Sequence, residues 1–153
     1  MSYITYNYNM IMNRDKKMMQ FVRRLAIDNP GVRERFKLSA ALVIKRDVIS
    51  VGNNMMRSHP VQKQFGKNNQ SIYLHAEINA ICNSLNHIAK DDLRKATLYV
   101  YRVKRDSSVK PETWVDGNAC PCAGCTAAIH AFGINRVIYS TDVCDVFGET
   151  YYN

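Results

Sequence analysis

Short β-branched runs alternate with segments of helical period along most of this chain, and that alternation leaves few folds open. From Asp15 to Asp28, Met18, Met19, Val22, Leu25 and Ala26 recur at helical spacing among Lys16, Lys17, Arg23 and Arg24. Asn29-Pro30-Gly31 stops that helix. Lys37 to Ile44 reads as a strand, Lys45-Arg46-Asp47 as a tight turn, and Val48 to Gly52 as the returning strand. Ala76 to Ile88 has the content of a buried helix, and Thr97 to Val103 that of a strand. Cys122 to Phe132 is a short Ala-rich helix ended by Gly133, and Asn135 to Ser140 is a last strand. The order predicts an α/β sandwich with a partly parallel sheet, its opening hairpin supplying an antiparallel pair.

Two polar stretches, Asn53 to Ser71 and Lys104 to Asn118, read as loops. The first holds Arg57, His59, Pro60, Lys63 and Lys67, and a connection of that length is usually functional or disordered. The second holds Pro111, Trp114 and Gly117; Trp114 either caps a site or anchors its loop by packing, and packing is the preferred reading. The 153 residues fit one domain. With 46% hydrophobic and 22% charged residues, disorder across most of the chain is excluded. No apolar run approaches the roughly 20 residues of a membrane helix. Met1 to Asn13 lacks the basic-then-apolar order of a secretory signal, so the expected location is the cytoplasm. The net charge of +8 is uneven: residues 1–110 carry 20 basic and 8 acidic side chains, residues 111–153 carry 1 and 5. Such a balance suits an anionic partner, nucleic acid or a phosphorylated small molecule, or a merely solvated face.

Of the five cysteines, Cys120, Cys122 and Cys125 fall within six residues, which suggests a metal site rather than a disulfide framework. His75-Ala76-Glu77 opens one predicted helix and Pro121-Cys122-Ala123-Gly124-Cys125 opens the next. Each motif alone is weak; in this order, each at a helix start, they form the signature of a zinc deaminase. Zinc takes nitrogen and sulfur ligands tetrahedrally, and a catalytic site keeps its fourth position for water. His75, Cys122 and Cys125 are the candidate ligands. Cys122 and Cys125 stand at i and i+3 on one helical turn, where the helix N-terminus favours thiolate. Glu77, two residues past His75, is the candidate proton carrier between water, a ring nitrogen and a departing amine.

These motifs resemble the cytidine deaminase superfamily, with the deoxycytidylate deaminase branch and its phage-type members most similar. His75-Ala76-Glu77-Ile78-Asn79-Ala80-Ile81 is similar to that branch's motif stretch, and Thr97-Leu98-Tyr99-Val100 to the strand before its cysteine motif. The resemblance spans residues 37–141. It implies a three-layer α-β-α sandwich with a mixed sheet of about five strands, one zinc per chain, and a homo-oligomer. The chain then divides into an N-terminal segment with a helix (1–36), a catalytic core (37–141) and a tail (142–153). Gly52-Asn53-Asn54 matches a Gly-x-Asn that implies a sugar contact from Asn54, and the Ala76 backbone would hold the pyrimidine carbonyl. The implied reaction converts dCMP to dUMP with release of ammonia, in a host cytoplasm if phage-encoded. Arg57, Lys63 and Arg102 are candidate phosphate contacts, and His59 with Arg57 is a candidate flap over a phosphate. The segment between Val103 and Cys120 is longer than in the compact enzymes.

Two other readings compete. The same chemistry could act on a base in tRNA or single-stranded nucleic acid, as in tRNA adenosine deaminases. That branch has Glu-Pro-Cys where this chain has Cys120-Pro121-Cys122, which lowers the reading. A non-catalytic module could instead hold a closed structural zinc, with Cys120 or Cys82 as fourth ligand. Such a site has no use for Glu77.

Overall fold

The protein is described by a computed structural model covering residues 3–4, 13–30, 36–66, 73–108 and 113–152. Gly31, Lys67, Ser71 and Pro111 lie outside the described residues. In chain order the elements are β1 (Tyr3–Ile4), α1 (Asn13–Ile27), β2 (Phe36–Ile44), β3 (Asp47–Asn53), α2 (Pro60–Phe65), α3 (Ala76–Ser84), β4 (Ala96–Asp106), β5 (Thr113–Gly117), α4 (Ala123–Ala131), β6 (Arg136–Ser140) and β7 (Phe147–Tyr151). A 3-10 helix, Lys90–Lys95, joins α3 to β4.

Both faces of the central strands are apolar, so both must be covered. Ala41, Val43, Tyr99, Tyr101 and Val103 turn towards Met19, Val22 and Ala26 of α1. Their alternates Ala40, Leu42, Leu98 and Val100 pack against Ala76, Ala80 and Ile81 of α3 and Ile129 of α4. This is the expected three-layer sandwich, with α1 on one face and α3 and α4 on the other. No described helix is long and apolar enough to cross a membrane.

The sheet is larger than the expected five strands. Among the described residues it has seven, in the order β1-β7-β6-β4-β2-β3 with β5 added on β4. Among the described strand pairs, β4–β6 is the only parallel one. The extra strands fall where sequence patterning is weak. β5 lies in the polar stretch read as a loop, and it forms because β4 outruns β6: β6 pairs with residues 97–100 and β5 with residues 102–106 of the same edge. Ser140 bridges the junction, its Oγ accepting from Arg102 N (2.9 Å) and donating to the Gly117 carbonyl (2.7 Å). β7 lies in the segment read as a tail and pairs antiparallel with β6.

Two further expectations change. The stretch 53–71 is not all loop: Pro60 at a helix start and the His59 ring, whose Nδ1 accepts from Val61 N (3.2 Å), nucleate α2. The helix expected to reach Ile88 stops at Ser84. There the serine hydroxyl donates back to Ile81 O (2.6 Å), and Ser84 O accepts from both His87 N and Ile88 N, closing the end into a turn.

Candidate active site

His75 and Cys122 are the residues that begin α3 and α4, each in extended conformation at the helix N-cap. Cys125 follows one turn into α4 and is fully buried. Ligand atoms of His75, Cys122 and Cys125 lie within 4.8 Å of one another, and among the described residues they are the group able to hold a metal. His75 Nδ1 is 3.3 Å from Cys125 Sγ and 3.6 Å from Cys122 Sγ. Tetrahedral zinc requires nitrogen–sulfur separations of about 3.6 Å for its usual bond lengths. The donor set therefore fits zinc in type and spacing. Cys82 and Cys120 stand outside the group, so three side chains converge and a fourth position is left.

The electrostatics suit a cation. Hydrogen bonds with the Cys125 thiol and the His75 ring hold the Cys122 thiol down to about 3, so it is a thiolate at neutral pH. The bond to Cys122, with burial, pushes Cys125 upward. Glu77 is 3% exposed, and burial raises its carboxyl above the ordinary carboxylate range. Its Oε2 is buried with no hydrogen-bond partner. A buried oxygen without a partner is costly unless a ligand or water completes it.

The neighbours that fix these groups come from elsewhere in the chain. His75 N donates to Oε1 of Gln62 (3.0 Å), a side chain of α2 that is 1% exposed. α2 reaches α4 closely at Gly124, where a Cβ would lie 2.8 Å from Phe65 O. α3 is laced to β3: Ser50 Oγ donates to Ala80 O (2.7 Å), Asn79 Nδ2 to Asn53 O (3.0 Å) and Asn83 Nδ2 to Val51 O (2.9 Å).

A cavity of about 260 Å³ opens beside the donors, with Asn54, Ala76, Glu77, Arg102 and Asn118 in its lining. Asn54 Oδ1 accepts from Leu38 N (2.9 Å) and from Asn29 Nδ2 (2.8 Å). Asn29 is 1% exposed; the sequence offers it only as a helix stop before Pro30. Gln62 was equally silent within a polar stretch. The structure brings His75, Glu77, Cys122, Cys125, Asn54, Ala76 and Arg102 together. It does not bring Arg57, His59 or Lys63 to the described lining: Arg57 is exposed, Lys63 lies on α2, and His59 is committed to capping that helix. Trp114 belongs with the α1 face, where Lys37 Nζ and Arg105 sit over its ring at 5.0 and 5.2 Å, as its packing role predicts.

Residues 12–141 match the family model for the cytidine and deoxycytidylate deaminase zinc-binding region. The chain belongs to that family. Among solved structures, this deaminase is similar to the apo dCMP deaminase of cyanophage S-TIM5 (18% identity, 90% of each chain covered, TM-score 0.55). It is also similar to the cytidine deaminase of Burkholderia pseudomallei (16% identity, 92% of this chain and 93% of that one, TM-score 0.58). A third similar structure is the S-TIM5 enzyme in complex with dCMP and dUMP (18% identity, 86% and 83% covered, TM-score 0.54). At these identities the likeness is one of fold. No curated protein matches the chain in sequence. The family match and the donor cluster make this a hydrolytic deaminase with a zinc-binding centre.

Proposed function

We propose that this deaminase converts a pyrimidine deoxynucleotide, dCMP, to dUMP and ammonia. The observation that carries the reading is the buried, partnerless Oε2 of Glu77 in a cavity shared with His75 and Cys122. A purely structural metal centre needs neither the carboxylate nor the cavity. His75, Cys122 and Cys125 would hold one zinc ion per chain, and zinc bound there would supply Lewis-acid activation of a water molecule near neutral pH. Glu77 is placed to move two protons: one from the attacking water to the ring nitrogen, and then one from the new hydroxyl on the ring carbon to the amine, which leaves as ammonia as the carbon–nitrogen bond breaks and the carbonyl forms. Asn54 positions the sugar and the Ala76 backbone the pyrimidine carbonyl. The dCMP and dUMP bound to the similar cyanophage enzyme support a nucleotide substrate. On this reading the whole chain is one catalytic domain, working in the cytoplasm (a host's, if phage-encoded) as a homo-oligomer.

Ammonia release, screened over cytidine, deoxycytidine, their mono- and triphosphates, guanine compounds and short oligonucleotides, tests the reading. The monophosphate dCMP is expected to be the best substrate. Glu77→Ala should keep its zinc and lose about 100- to 10,000-fold in turnover. An unchanged rate in that variant would sink the mechanism. Oligonucleotide deamination that weakens steeply with salt would favour the nucleic-acid reading instead.

A further inference from the structure

We infer that Arg102 is the specificity-determining residue of this pocket, reading a phosphate monoester on the substrate, so that the site takes a pyrimidine nucleotide in preference to the free nucleoside. This rests on the deamination reading above and names the group that selects among its substrates.

The strand pattern places the residue. Leu98 and Val100 face α3 with the core, and Arg102 is the next side chain of β4 on that face. Where the row would continue apolar, a guanidinium enters the cavity instead. Among the described lining residues it is the only arginine or lysine. Its setting is built. The Phe36 ring lies 4.6 Å from Cζ and braces the guanidinium plane. Gly117, the register partner of Arg102 on β5, clears the way for the stem: a Cβ there would stand 3.1 Å from Arg102 Cγ.

Yet the braced group is unsatisfied. Arg102 Nε is buried with no hydrogen-bond partner, and no ion pair to it occurs among the described residues. The acid that feels its charge, Asp142, already accepts at Oδ1 from Lys104 Nζ (3.1 Å) and Asn118 N (3.2 Å). A buried guanidinium donor left open favours a ligand that brings acceptors, and a phosphate offers a matching pair. The pocket is also divided by element. The metal donors and Glu77 stand on α3 and α4, whereas Arg102 stands on the sheet, so a phosphate held by Arg102 leaves the base to reach towards the donors.

The zinc-loaded enzyme is assayed with dCMP and with deoxycytidine, as wild type, Arg102→Gln and Arg102→Lys. Arg102→Gln should lose about 100-fold in kcat/KM on dCMP, mainly through KM, and far less on deoxycytidine. Arg102→Lys should recover part of the loss. In the wild type, inorganic phosphate should compete with dCMP and not with deoxycytidine, a result that needs no variant to fold. Equal losses on both substrates, or phosphate without effect on dCMP turnover, would overturn the assignment. If the wild type deaminates neither compound, the deamination reading fails by itself. Calorimetry with dUMP and deoxyuridine then decides Arg102: a preference for dUMP that disappears in Arg102→Gln and partly returns in Arg102→Lys supports it, and equal binding of the two by the wild type refutes it.

Discussion

Asn54 can offer its amide N–H to a ligand because its oxygen is already engaged. Leu38 N and Asn29 Nδ2 both donate to Oδ1, which leaves Nδ2 as the polar atom free for the cavity. If Asn54 holds the sugar as proposed, Asn29 is a positioning residue that acts through Asn54 rather than on the substrate. Asn29→Ala removes one of the two bonds that set the amide's orientation. It should raise KM about 10-fold with a smaller change in kcat, a split that steady-state kinetics would show. A fall in kcat at constant KM would speak for a different role. The metal donors and Glu77 were legible as residues because their chemistry depends on local spacing. Asn29 and Gln62 were not, because each acts on a partner that only folding brings near.

Elements carry these residues into register through backbone contact. α3 rests on β3 so closely that a Cβ at Gly52 would sit 2.3 Å from Ala80 N and 2.6 Å from Ala76 O. Neither neighbour is a flexible side chain, so Gly52→Ala must push the helix off the sheet. The expected cost is about 1–3 kcal/mol, seen as a lowered Tm. Because His75 and Glu77 begin that helix, zinc affinity should fall as well. An unchanged Tm and full zinc content would show that α3 can shift without loss. The short helix α2 works differently: it holds the His75 backbone through Gln62 and braces α4 at Gly124. His59, a residue whose sequence setting suggested a phosphate flap, is spent on starting that helix.

At the scale of the whole molecule, one buried ion-pair network ties α1 to the sheet. Asp15, 1% exposed, accepts from Arg136 Nη2 (2.8 Å) and from the Tyr99 hydroxyl (2.6 Å), while Arg136 Nε donates to Glu149 (2.7 Å). Burial alone would raise the Asp15 carboxyl, but the bonds from Arg136 and Tyr99 outweigh it and leave it below the ordinary 3.8. A carboxylate depressed in the folded state stabilises fully above its unfolded value and loses that stabilisation as pH falls through the folded value. Asp15→Asn should thus be about 3–5 kcal/mol less stable than wild type at pH 7, with the gap narrowing below about pH 4. Urea unfolding of both proteins across pH 3–7 checks it, and a constant gap would contradict it. The positive charge of the chain is distributed with the same layering. Arg14, Lys17, Lys45 and Arg46 line a second cavity of about 330 Å³ on the α1 face, behind the sheet from the metal donors. These four basic residues are therefore remote from the metal-donor cluster.

Periodicity and two motifs were enough to set the layered α/β class and to single out His75, Cys122 and Cys125, which the fold gathers into one cluster with Glu77 beside it, because each depends on residues close in sequence. The edges of the sheet were hidden from that reading. β5 and β7 contain strand formers (Thr113, Trp114, Val115; Phe147, Thr150, Tyr151) but are only five residues long and carry Gly and acidic residues, and pairing with the backbone of β4 and β6 holds them in the sheet. Folding alone also chose among the cations. Arg57, Lys63 and Arg102 are alike as side chains in a sequence, and the alternation of β4 with a glycine opposite it turned Arg102 into the pocket.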